Sequence, residues 1–187
     1  MVKRNACVFI SGEGSNLRNL LKRSRDYNFP VSIKLVISNN PKAKGVNFTK
    51  KYSIPYLIVN TKVRNFENII LAYLKRYRIN IICLAGYMRI ISKKFLRSFG
   101  KNIINIHPSL LPKYKGLDTH LRAIKNKDKY SGCTVHFVNS KLDSGKIILQ
   151  KKIKIKKKET PKSLGKRVLK EEHILYRKAI KKIYFNL

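Results

Sequence analysis

The feature that most constrains the fold is a series of short apolar runs separated by stretches with helical spacing. Ala6-Cys7-Val8-Phe9-Ile10 has no polar position. A strand with one face in water alternates apolar and polar residues, so an unbroken run belongs in a sheet covered on both faces. Residues 31–38, 56–59 and 79–85 supply three more strands. Between them Leu17, Leu20 and Leu21 lie at helical spacing, residues 44–52 form a short helix, and Phe66, Ile69, Ile70, Tyr73, Leu74 and Tyr77 line one face of a helix over 64–78. A short helix over 92–99 follows. Strands alternating with helices predict an α/β fold, with a mostly parallel central sheet and helices on both faces. No linker or internal repeat interrupts the pattern, so residues 1–187 are expected to form a single domain.

The second half changes character. Residues 102–107 are a strand with two polar interruptions, Asn105 and His107, and Pro108 biases His107 toward extended backbone. A helix over 117–126 precedes strands at 132–139 and 146–155, joined by a loop at 140–145. Two strands in succession predict an antiparallel C-terminal part. Thr160-Pro161 opens a last helix with Leu164, Val168, Leu169 and Ile174 as its apolar stripe.

In an open α/β sheet, ligands bind beyond the carboxyl ends of the strands. Ser11-Gly12-Glu13-Gly14-Ser15-Asn16 lies at one such end, where glycines admit a ligand to the backbone and Ser15 or Asn16 can cap the helix. Free N–H groups there suit a phosphate; an ordinary capped turn reads the same way. Residues two apart on a strand share a side, so Asn105 and His107 leave the sheet together. A strand end with two solvated polar residues has the same spacing. An imidazole near a carboxylate such as Asp143 favours its charged form, and an amide beside such a ring would stabilise a developing oxyanion. No nucleophile elbow is present. These residues point to acyl transfer straight onto a bound amine, with a phosphorylated small molecule as one partner and the acyl donor left open.

Charge requires two readings. The chain carries 43 Lys and Arg against nine Asp and Glu, a formal net charge of +34. Either the surface meets a polyanion, or lysine has spread over every solvent-facing position. Lysines occur in nearly every segment and few stretches are dense, which favours the second. In the densest, 151–158, Ile153 and Ile155 alternate with lysine, the pattern of a protected sheet edge. Cys7, Cys83 and Cys133 form no Cys-x-x-Cys pair and sit in apolar runs, as small core residues in a reducing compartment do. No metal site and no membrane span is expected, and the chain reads as cytoplasmic.

Four motifs in order then carry a resemblance: Ile-Ser-Gly-Glu-Gly-Ser-Asn-Leu at 10–17, Leu-Ala-Gly-Tyr-Met-Arg-Ile-Ile at 84–91, Asn-Ile-His-Pro-Ser-Leu-Leu-Pro at 105–112 and Gly-Cys-Thr-Val-His-Phe-Val at 132–138. With Leu142-Asp143-Ser144-Gly145 and Glu172-His173, the chain resembles the folate-dependent phosphoribosylglycinamide formyltransferases across residues 6 to about 180. The resemblance implies a Rossmann-like formyltransferase fold acting as one catalytic domain. It implies transfer of the formyl group of 10-formyltetrahydrofolate, as co-substrate, to the amine of phosphoribosylglycinamide in purine synthesis. Asn105 and protonated His107 would hold the oxyanion, and Asp143 would raise the His107 pKa. Gly14, Ser15 and Asn16 would take the phosphate, and Glu172 the amine substrate. Arg64, Met88, Arg89, Ile90, Ile91, Asn105, Asn139, Ser140, Lys141, Leu142 and Asp143 would form the folate pocket. The implied partners are these small molecules, with no specific nucleic acid and no membrane, in a monomer or weak homodimer.

Three departures stand out. Glu13 puts an acid in the phosphate loop and must point outward. Leu169 stands where a polar residue is common. Arg177 replaces a proline, so the last helix is expected to run straighter. Methionyl-tRNA formyltransferases share Ser-Leu-Leu-Pro but continue differently where this chain has Lys115-Gly116-Leu117. A nucleic-acid-binding module would need base-stacking aromatics gathered on a basic face, and the tyrosines here are scattered.

Overall fold

The computed structural model describes residues 2–185, which divide after Ile104 into two compact units. The first unit holds β1 (Arg4–Ile10), α1 (Ser15–Ser24), β2 (Val31–Ser38), α2 (Val46–Lys51), β3 (Tyr56–Ile58), α3 (Phe66–Arg76), β4 (Ile81–Leu84) and α4 (Lys93–Phe99). β1 pairs in parallel with β2 and β4, and β2 with β3. Ala6 through Ile10 are fully buried, as an apolar run covered on both faces requires. Strand β5 (Asn102–His107) spans the division, and the strand order is β3-β2-β1-β4-β5-β6-β7.

The second unit continues with α5 (Thr119–Lys125), β6 (Tyr130–Phe137), β7 (Ile147–Lys154) and α6 (Pro161–Phe185). β6 and β7 pair antiparallel, as two strands in succession predict. Their register runs from Tyr130 opposite Lys154 to Val135 opposite Leu149, then shifts so that His136 faces Ile147. A bulge of this kind re-aims the neighbouring side chain. β7 is the last strand in the order, and its Lys151, Lys152 and Lys154 are exposed, which guards an edge against pairing with another chain. α6 begins with Pro161 after Thr160, whose hydroxyl accepts the Ser163 N–H, and it runs unbroken through Arg177. Cys7, Cys83 and Cys133 are buried and form no disulfide among the described residues.

Within the first unit the glycine turn is held by backbone contact. Gly45 N–H donates to the Gly12 carbonyl at 3.0 Å, and Gly14 takes a left-handed φ of 73°. A Cβ on Gly45 would stand 2.9 Å from Gly14 Cα and 2.8 Å from Ile10 Cδ1. Gly45→Ala is therefore expected to destabilise the protein by about 1–3 kcal/mol through overpacking. Urea unfolding measures it, and an unchanged midpoint would mean that the loop does not rest on this contact.

Candidate active site

The second unit builds its site from the end of β5. Asn105 and His107 stand two residues apart and both reach Asp143, in the loop between β6 and β7. His107 Nδ1 lies 3.3 Å from Asp143 Oδ2, with the side chains 6% and 8% exposed. Asn105 Nδ2 donates toward Asp143 Oδ1 at 3.4 Å and approaches His136 Nε2 at 3.3 Å. Gly116 N–H donates to Asp143 Oδ2 at 2.9 Å. The carboxylate thus gathers an amide, an imidazole and a backbone N–H. The two side-chain contacts are longer than the usual 2.7–3.2 Å for N–H···O bonds, so both donors keep capacity for a second acceptor.

The segment after β5 is pinned by polar groups of the hairpin. Thr134 Oγ1 donates to the Ser109 carbonyl at 2.7 Å and accepts the Leu111 N–H at 3.1 Å. Gln150 Nε2 donates to the Leu111 carbonyl at 2.7 Å, and the Leu111-Pro112 bond is cis. Thr119 Oγ1 donates to the Pro108 carbonyl at 2.8 Å. These bonds explain why the Ser-Leu-Leu-Pro stretch needs the Gly-Cys-Thr-Val-His strand beside it.

Both ring nitrogens of His107 face acceptors. Nε2 is 2.8 Å from the Tyr114 carbonyl, which accepts only from an N–H, and Nδ1 faces the Asp143 carboxylate. Only the imidazolium satisfies both. Burial nevertheless pulls the His107 pKa below the ordinary imidazole value, against the upward push of the Tyr114 carbonyl and Asp143. The expectation from charge pairing holds for the sign of Asp143's effect. It fails for the sum, because desolvation of a ring this deep outweighs its two acceptors. For Asp143 burial pushes upward, but His136, the Gly116 N–H and His107 together hold the carboxyl below its usual value.

His136, to which the sequence alone gives no role at the site, lies inside the cluster. Its Nδ1–H donates to the Phe137 carbonyl at 2.8 Å, and its Nε2 lies 3.3 Å from Asn105 Nδ2. Nε2 is also 3.6 Å from Asp143 Oδ1, an electrostatic approach rather than a hydrogen bond. The bulge at this position is not readable from residue types. The only sequence signal was a histidine on the strand that leads into the Asp143 loop.

The other expected site residues fall as follows. Gly14 is the N-cap of α1, which has no side-chain cap, so Ser15 and Asn16 do not cap it. Ser15 is half-buried and Asn16 buried in the first turn. Glu13 points outward and pairs with Lys44 at 3.0 Å, both about three-quarters exposed. Arg64 is exposed in the turn before α3. Met88 and Ile90 are exposed, Arg89 stacks over Phe66, and Ile91 is buried. That turn is anchored at both ends: Met88 N–H donates to Ser11 Oγ at 2.8 Å, and Ser92 Oγ donates to Glu67 at 2.6 Å. In the second unit Asn139 Oδ1 accepts the Lys141 N–H, while Asn139, Ser140, Lys141 and Leu142 are exposed. Leu169 is half-buried with exposed Lys170 beside it. Glu172 is 7% exposed on α6, far from the solvated charge that its helix position alone suggests.

Comparison with known proteins bears on the fold and the family. A family described as formyl transferase matches residues 4–180. Phosphoribosylglycinamide formyltransferase of Haemophilus influenzae is 39% identical over 184 residues, covering 95% of this chain and 86% of that protein. The human trifunctional purine biosynthetic protein adenosine-3 is 38% identical over 182 residues, but the chain spans only 18% of its length. The crystal structure of phosphoribosylglycinamide formyltransferase from Brucella melitensis superposes with a TM-score of 0.93 at 38% identity, covering 97% of this chain and 96% of that one. Among the described residues no helix is long and apolar enough to cross a membrane. The family model covers nearly the whole chain and a solved member superposes on it almost end to end, so the chain belongs to the formyltransferase family.

Proposed function

We propose that this chain transfers the formyl group of 10-formyltetrahydrofolate to the amine of 5-phosphoribosylglycinamide, a step of de novo purine (IMP) biosynthesis. The observation that carries the reading is the convergence of Asn105 and His107 on the Asp143 carboxylate in one buried cluster. Relatives whose names state the reaction match the chain over nearly its whole length, which supports the same substrates.

The amine lone pair attacks the formyl carbon, and the carbonyl π pair moves onto oxygen. Asn105 Nδ2 donates to that oxyanion, and the His107 imidazolium, whose Nε2–H stays on the Tyr114 carbonyl, faces it with the Nδ1–H that it shares with Asp143. The new negative charge favours the ring's protonated form, which burial alone opposes. The proton of the attacking amine passes to the leaving folate nitrogen through water held by Asp143. Collapse of the tetrahedral carbon re-forms the carbonyl and breaks the bond to that nitrogen. No enzyme nucleophile is required. The phosphate sits on Gly14, Ser15 and Asn16, where the first turn of α1 has no side-chain cap. Glu172 contacts the amine substrate. Arg64, Met88 through Ile91, Asn105 and Asn139 through Asp143 hold the folate. Residues 1–187 act as one catalytic domain, without a metal.

Formyl transfer from 10-formyltetrahydrofolate to phosphoribosylglycinamide, followed by folate absorbance, tests the reading directly; no turnover of this pair would refute it. His107→Ala and Asn105→Ala should each lower turnover by about 10²-fold or more with folding intact by circular dichroism, the loss of an oxyanion donor. Near-normal turnover in either would remove that residue's role. Ser15→Ala and Asn16→Ala should raise KM for the phosphorylated amine more than for the folate. Equal effects on both would place the phosphate elsewhere.

A further inference from the structure

The segment that follows β5 touches both members of the acid–imidazole pair through its backbone alone. The Tyr114 carbonyl accepts from His107 Nε2, and two residues on the Gly116 N–H donates to Asp143. Tyr114 has a φ of 55°, a left-handed conformation that a bulky residue adopts only when its surroundings impose it. Its side chain shows what imposes it. Tyr114 Oη donates to Asp128 Oδ2 at 2.9 Å and accepts from Asn126 Nδ2 at 2.9 Å. The Arg122 guanidinium lies 5.0 Å from the ring centroid and also donates to the Lys115 carbonyl at 2.7 Å. Asp128 is 16% exposed at its side chain and also receives Lys113 Nζ, a lysine 63% exposed. A pair so open to solvent contributes little by itself. The half-buried bond to the phenol is the better-protected one.

We propose, resting on the reaction assigned above, that Asp128 and Tyr114 are positioning residues for His107. The Asp128 carboxylate fixes the phenol, the phenol fixes the left-handed turn, and the turn holds its carbonyl against His107 Nε2–H. Neither residue touches the reacting atoms. The charged and titratable groups facing His107 come from three elements: Asp143 in the loop after β6, His136 on β6, and Arg122 and His120 on α5. Asp143 favours the ring's positive charge, whereas Arg122 and His136 oppose it. With the Tyr114 carbonyl displaced, Asp143 is left as the one acceptor on the ring, and the ring is free to rotate about it.

The test uses the full chain with Asp128→Ala, Tyr114→Phe and Asp128→Asn. Tyr114→Phe keeps the ring under Arg122, so it remains informative if Asp128→Ala folds poorly. His107 is titrated by NMR without substrate. Its pKa should fall by about half a unit or more in Asp128→Ala and Tyr114→Phe, because an acceptor for the charged form is lost. Asp128→Asn, which retains an oxygen for the phenol, should restore most of the shift. Turnover should fall about tenfold in the first two variants, with KM for both substrates within about twofold, as misplacement of a catalytic group predicts. An unchanged His107 titration in both variants would overturn the proposal. So would Asp128→Asn behaving like Asp128→Ala, which would place the effect in the Lys113 pair, or a loss confined to KM. The titration needs no formyl transfer. A shifted titration in a protein that does not formylate this amine would therefore refute the assigned reaction and leave the positioning intact.

Discussion

A carboxylate withdrawn from water needs compensation from each direction it faces, and Asp143 receives it from His107, from Asn105 with His136, and from the Gly116 N–H. Remove the charge and each of those groups loses the acceptor that orients it. The strand end, the hairpin loop and the turn at 114–116 meet at this one side chain. The hydrogen bonds of Thr134 and Gln150 to the 109–111 backbone serve the same arrangement at one remove, because they fix the segment that returns to Asp143.

The same logic explains where acidic residues occur in a chain with 43 Lys and Arg and only nine Asp and Glu. Asp128 holds a phenol, Glu67 accepts from the Ser92 N–H and hydroxyl, and Glu159 accepts the Lys156 N–H and pairs with Arg167. Each satisfies a donor that a lysine could not. Lysine occupies positions that water solvates, including the exposed β7 edge. The high charge is thus compatible with an ordinary α/β interior, and the local electrostatics of the site are set by a few acids at close range rather than by the net charge.

Much of the fold was legible because it follows from periodicity. The unbroken apolar run at 6–10 became a fully buried central strand, and the two successive strands became the antiparallel pair. The period of two on β5 placed Asn105 and His107 together, and the outward course of Glu13 followed from the phosphate role that the resemblance gives its loop. What could not be read depends on long-range packing. The depth of burial that lowers the His107 pKa depends on elements distant in sequence. The Tyr114 carbonyl belongs to the backbone and leaves no trace in residue type. His136 stands at a register shift between β6 and β7, and Glu172 is buried on a helix whose local pattern does not demand it.

The negative charge of Asp143 supports the positive charge of His107 against the cost of burial. NMR titration of His107 in the wild-type chain and in Asp143→Asn measures it most directly, since asparagine keeps the shape and removes the charge. The account requires the His107 pKa to drop further in Asp143→Asn, the sign that follows from losing an opposite charge at 3.3 Å. An imidazole that titrates unchanged, or at higher pH, would contradict it.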